Sequence, residues 1–140
     1  MIFAVIDTNV LISALMTKHA DAATARVLRA VAEQRIVPLY SDAVLREYDE
    51  VMRRPKFSFR EEQIAAVLEI VRAFGVAVEA GKKPGGPEER LPHAADRIFY
   101  EIVMEKREDG AYLVTGNLKH FPDRWYIVTP SEMMAILENE

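Results

Sequence analysis

Cysteine is absent from the 140 residues, tryptophan occurs once and glycine only six times. Without a thiol, cysteine nucleophiles, disulfide staples and every cysteine zinc site are excluded, and a reducing compartment suits the chain. The few glycines form neither a G-x-x-x-x-G-K-S/T loop nor a dinucleotide fingerprint, and no serine stands in a G-x-S-x-G elbow. Nowhere does an uninterrupted apolar run approach the ~18 residues of a membrane span. The apolar start, Met1 to Ile6, is broken by Asp7 and has no basic leader, so neither a signal peptide nor a membrane anchor is expected. There is no excess of positive charge: 18 Lys and Arg face 22 Asp and Glu, a net charge of −4. That argues against coating nucleic acid by bulk charge, but not against a nuclease, because carboxylates that hold a cation count as negative in the sum.

What is present fits one folded unit. Half of the residues are hydrophobic and 29% are charged, and a chain of this size buries roughly 68–70% of its unfolded surface without staples or metals. Residues 1–140 are therefore expected to form a single soluble, cytoplasmic domain. Ile2 to Ile6 is a short β-branched apolar run, the pattern of a strand covered on both faces, and Asp7-Thr8-Asn9 are turn and cap types leading into apolar Val10 to Leu15. This is a strand feeding a helix. Further helices are expected within 21–34, 42–52, 60–74 and 93–107. Strands are expected at 36–40, 76–79, 111–115 and 126–128, with Pro38 weakening the second and Gly75 terminating the helix before the third. Gly81 to Pro87 is the clearest loop, and Thr129-Pro130-Ser131-Glu132 is a strong helix start. Alternating strands and helices imply a three-layer α/β/α domain with a mostly parallel sheet.

In such sheets ligands bind beyond the carboxyl ends of the strands, which keeps the candidates few. Asp7 ends the first strand, and an acid at the end of a wholly apolar strand is partly desolvated and needs a cation or hydrogen-bond donors. Thr115 to Asn117 follow a later strand. On the 42–52 helix, Glu47 lies about 60° from Val44 and about 40° from Val51, at one margin of the apolar stripe, and Asp49 lies at the other. The wheel does not choose between them. Asp96 stands in the opening turn of its helix, where capping is the simplest role, and Glu101 points about 140° away from it. If carboxylates from distant positions converge, a divalent cation relieves their repulsion, and oxygen donors favour Mg²⁺ or Mn²⁺ over zinc. His19, His93 and His120 are widely spaced and offer no zinc pair. Most of the basic residues, among them Arg53, Arg54, Lys56, Lys82 and Lys83, are expected on solvated faces, with the alternative that some flank an acidic cleft and hold phosphates.

Together, the strand ending in Asp7-Thr8-Asn9, Glu47, Asp96 and the block Leu113-Val114-Thr115-Gly116-Asn117-Leu118-Lys119-His120-Phe121-Pro122 resemble the PIN-domain family. The likeness runs along nearly the whole chain and is greatest to the toxin components of toxin–antitoxin pairs, the VapC-like ribonucleases. It implies a Rossmann-like sheet of order 3-2-1-4-5, RNA as substrate, an Mg²⁺ or Mn²⁺ site, and a homodimer inhibited by a cognate antitoxin. It also favours Glu47 over Asp49. By position, Asp7, Glu47 and Asp96 are the metal ligands, with Thr115 and Asn117 assisting. Relatives often carry Asp near Asn117 or His120, and commonly add acids where Ala94 and Ala95 stand. The alternative is a PIN-fold binding module with a degenerate metal site. A phosphoacceptor reading lacks a second acid beside Asp7 and an acceptor Asp ending a central strand, and an aspartyl-phosphatase reading lacks the Asp two residues after Asp7, where Asn9 stands.

Overall fold

The computed structural model describes residues 1–79 and 91–140; the expected loop Gly81 to Pro87, with Lys82 and Lys83, lies outside them. Five strands, β1 (Ile2–Ile6), β2 (Ile36–Tyr40), β3 (Val76–Ala77), β4 (Tyr112–Val114) and β5 (Ile127–Val128), form one parallel sheet in the order β3-β2-β1-β4-β5. The helices are α1 (Thr8–Met16), α2 (Ala23–Ala32), α3 (Asp42–Met52), α4 (Glu61–Phe74), α5 (Arg97–Glu105) and α6 (Pro130–Glu138). α2 packs on α1, α4 and α6, while α5 lies on β1 and β4. The result is the expected three-layer α/β/α architecture.

β1 is central because its sequence has nothing polar to expose: Ala4, Val5 and Ile6 are all buried. It pairs with β2 from Ile2 opposite Ile36 and with β4 up to Ile6 opposite Val114. Pro38 does occupy an interior strand. It is tolerated because β3 pairs with β2 only from Leu39 onward, so no ladder bond to that neighbour is required at Pro38. Gly75 ends α4, though not through the left-handed conformation usual for a terminal glycine. Its φ is −95°, and a Cβ there would stand 2.4 Å from the carbonyl oxygens of both Pro38 and Val71. Close approach of backbone to backbone selects this glycine.

Two helix starts follow their local signals. Ser41 caps α3 by accepting from the Val44 N–H at 3.2 Å, and Thr129 and Glu132 form a reciprocal capping box on α6. The expected helix 93–107 is subdivided: Ala94–Asp96 form a 3-10 turn and the α-helix begins at Arg97. No helix among the described residues is long and apolar enough to cross a membrane.

Candidate active site

The carboxyl ends of β1 and β4 meet because the two strands are paired to their last residues, and the Asp7 N–H continues the ladder to the Val114 carbonyl at 2.9 Å. This brings Asp7 and Thr115 side by side across 108 residues of sequence. Asp7 is 5% exposed and Thr115 is fully buried. Thr115 Oγ1 donates to Asp7 Oδ2 at 2.8 Å, Asn9 Nδ2 donates to the same oxygen at 3.3 Å, and the Gly116 N–H donates to Asn9 Oδ1 at 3.3 Å. The Asn117 N–H donates to Thr115 Oγ1 at 3.0 Å. Asn117 thus steadies Thr115 through its backbone, and its side chain is exposed.

These donors do not fully compensate Asp7. Burial pushes its carboxyl above the ordinary carboxylate range; the Thr115 hydrogen bond opposes that, and the charge of Asp96 adds to the rise. Asp96 is therefore within electrostatic reach of Asp7. Its capping role is not observed: the Asp96 side chain makes no cap bond to α5. Instead Asp96 Oδ2 meets His120 Nδ1 at 2.9 Å.

Glu47 enters from α3 on the same side. Thr8 Oγ1 donates to Glu47 Oε2 at 3.0 Å, coupling the glutamate to the residue after Asp7. Tyr48 donates its hydroxyl to the Ile6 carbonyl and is buried. Its hydroxyl pKa is raised by burial first, then by the charge of Asp7, with Glu47 a smaller contributor. Asp49, which the wheel left level with Glu47, is held by Arg53 at 2.8 Å on the outer face, and Glu101 pairs with Arg97 at 2.9 Å. The structure thus groups Asp7, Thr115 and Asp96 with Glu47 nearby, and sets Asp49 and Glu101 apart.

Sequence spacing did not reveal the histidine arrangement. His93 and His120, 27 residues apart, have ring centroids only 4.1 Å from each other, and His120 reaches Asp96. The one signal lay in the Thr115 to Pro122 block, where His120 stands near a position at which relatives carry an acid; His93 gave none. Among the described residues, no three His, Asp or Glu side chains are gathered as closely as the ligands of a bound ion. The donor set is nevertheless one of hard oxygens, and its most buried member is raised both by desolvation and by a neighbouring like charge. That chemistry fits Mg²⁺ or Mn²⁺.

A buried acid at the end of the central strand of a 3-2-1-4-5 parallel sheet, with further acids arriving from two helices, defines an α/β protein whose site lies beyond the strand ends. The PIN domain family profile matches residues 4–119, and the chain belongs to that family. No curated protein matches the chain at a significant level. PIN domains are in general nucleases that use divalent metals, so the chain carries the fold of a nucleic-acid hydrolase.

Proposed function

We propose that the protein is a metal-dependent endoribonuclease whose acids Asp7, Glu47 and Asp96 hold Mg²⁺ or Mn²⁺. The observation that carries this reading is the buried Asp7 carboxylate, raised by desolvation and by Asp96 at the mouth of the sheet. A folded protein keeps such an acid where a cation repays its cost. When bound there, a divalent cation would lower the pKa of a water and stabilise charge on the phosphate and the leaving oxygen.

The chain's own residues prepare that site. Thr115 and Asn9 aim two side-chain donors at Asp7 Oδ2, and the backbone N–H groups of Thr8 and Asn9 also favour its charged form. Asn117 fixes Thr115 through its backbone, Thr8 orients Glu47, and His120 orients Asp96. Hydrolysis of this kind needs no ribose 2′-hydroxyl as nucleophile, so the products expected are 5′-phosphate and 3′-hydroxyl ends.

The test is cleavage of a labelled RNA with Mn²⁺ or Mg²⁺ and with excess chelator, run beside Asp7→Asn. Activity should require the ion, and Asp7→Asn should reduce it by at least about 100-fold, beyond the cost of losing an outer partner. Cyclic 2′,3′-phosphate ends formed unchanged in chelator would overturn the mechanism. The competing reading, a PIN-fold binding module with a degenerate metal site, is favoured by one observation: His120 and Thr8 occupy oxygens of Asp96 and Glu47. Absence of Mn²⁺ or Mg²⁺ binding at millimolar concentration would select it.

Within the nuclease reading, the protein is the toxin of a toxin–antitoxin pair, a cytoplasmic homodimer silenced by its antitoxin. What supports this is the resemblance of the Thr115 to Pro122 block and its companion acids to VapC-like ribonucleases. Growth arrest on expression, relieved by co-expression of a small neighbouring gene, is the outcome expected.

A further inference from the structure

A second feature adjoins the acid site. Along α1, between that helix, the end of α3 and the 3-10 turn Pro55–Phe57, runs a groove of about 520 Å³ lined by Asn9, Ile12, Met16, Val51, Arg54 and Phe57. Its volume is that of a small-ligand site. One end is Asn9, whose amide is bonded to Asp7, and the other is Thr17, about 12 Å along the helix. The floor is apolar, and among the described residues Arg54 is the one charged residue on the lining. Arg53 is neutralised by Asp49 and Glu61, but its neighbour Arg54 is exposed and has no ion-pair partner among the described residues. Lys56 stands 5.1 Å from the Phe57 ring centroid, and Phe57 stacks on Phe59 at 5.6 Å with planes 11° apart.

We infer that this groove binds one unpaired nucleotide of a single-stranded RNA, with the base against Phe57 and the adjoining phosphate on Arg54. The inference rests on the nuclease reading of the acid site and adds to it how the substrate strand is held. An aromatic face with cations beside it is the pairing that single-stranded nucleic acid uses, because every base has a π-face and brings its own anion. A protein helix laid in the same groove would need an acid set opposite Arg54, whereas every nucleotide brings its own anion. Continuity through Asn9 delivers the next phosphate of the strand toward Asp7. In a chain of net charge −4, an arginine without an ion-pair partner among the described residues, lining a groove that reaches Asn9, offers a phosphodiester a complementary charge beside the acid site.

The test uses the full chain in chelator, so that binding is read without cleavage. The probes are a fluorescein-labelled oligoadenylate of about 12 nucleotides, within the span of single-strand sites, and its duplex with oligouridylate, followed by anisotropy over a salt series. Phe57→Ala should weaken single-strand binding by about 5- to 150-fold with the salt slope unchanged, while duplex binding stays constant. Arg54→Glu should reduce the single-strand slope by about 0.7, the share of one phosphate contact.

Single-strand binding by a folded Phe57→Ala that stays within about twofold of the parent overturns the inference. So do equal losses on single strand and duplex. Should Phe57→Ala fail to fold, an unchanged slope in Arg54→Glu overturns it instead. Cleavage with Mn²⁺, measured separately, keeps the two readings apart. Groove variants that behave as expected in a protein that never cleaves RNA would sink the nuclease reading and support the groove. An active parent with indifferent groove variants would sink the groove alone.

Discussion

Asp7 concentrates the conflict at the scale of a single residue. Its carboxyl is raised by burial and by Asp96, and the hydrogen bond from Thr115 offsets only part of that rise. An acid with a higher pKa in the folded state than in the unfolded chain binds its proton more tightly when folded. Its contribution to stability therefore falls as pH rises from the ordinary value of 3.8 through the higher folded value. Near neutrality, without metal, Asp7 is a destabilising charge. Asp7→Asn keeps the shape and an oxygen for Thr115 while removing the charge. It should raise Tm at pH 7 by a few degrees and leave Tm near pH 3 almost unchanged. Thermal melts at the two pH values check this. In the same melts Mn²⁺ should raise Tm of the parent and not of the variant, since only the parent keeps the full ligand set. A Tm that falls at pH 7 would show that Asp7 is satisfied as an anion by the protein alone.

The elements carry their own constraint, set by how closely α4 returns to β2. Gly75 lies where a methyl group would meet two backbone oxygens at 2.4 Å, and neither carbonyl is the far end of a flexible side chain. Gly75→Ala should therefore cost about 1–3 kcal/mol, the range for overpacking, seen as a lower urea midpoint with an unchanged m-value. Sequence pattern indicated a helix end at Gly75 but not this reason, because the clash depends on Pro38, 37 residues earlier. The same division holds elsewhere. The apolar β1 run, the stripe of α3 and the Thr129–Glu132 capping box are local signals, and the structure follows them. Contacts that build the site are non-local. Thr115 finds Asp7, and His93 finds His120, only after the sheet has formed and α5 has packed on it. Strand order likewise came with the family resemblance and not from spacing. The choice between Glu47 and Asp49 was undecided on the helical wheel because both flank the stripe. Their partners differ, which supports the proposed choice of Glu47: Arg53 one turn after Asp49 pairs with that acid, while Thr8 donates to Glu47.

Across the whole molecule, the layout of charge decides how RNA is met. The proposed acids lie beyond β1, Arg54 lines the groove that reaches Asn9, and the net charge is −4. Binding to a single strand in chelator should then release few counterions, with a slope of log K against log salt of about −0.7 for the one phosphate contact at Arg54. A slope of about −5 or steeper would indicate a longer basic track. Under the proposed function, the same layout makes the site without its ion repel a phosphodiester. Asp7→Asn should therefore tighten RNA binding in chelator, by about fivefold or less, the worth of one charge at contact distance in water. In Mn²⁺ the order should reverse, with the parent binding more tightly than the variant, because the ion turns an acid pocket into a cationic one. Anisotropy with a non-cleavable phosphorothioate strand measures both conditions. Weaker binding by Asp7→Asn in chelator would mean that Asp7 contacts the RNA itself, and the role of metal ligand would have to be reassigned.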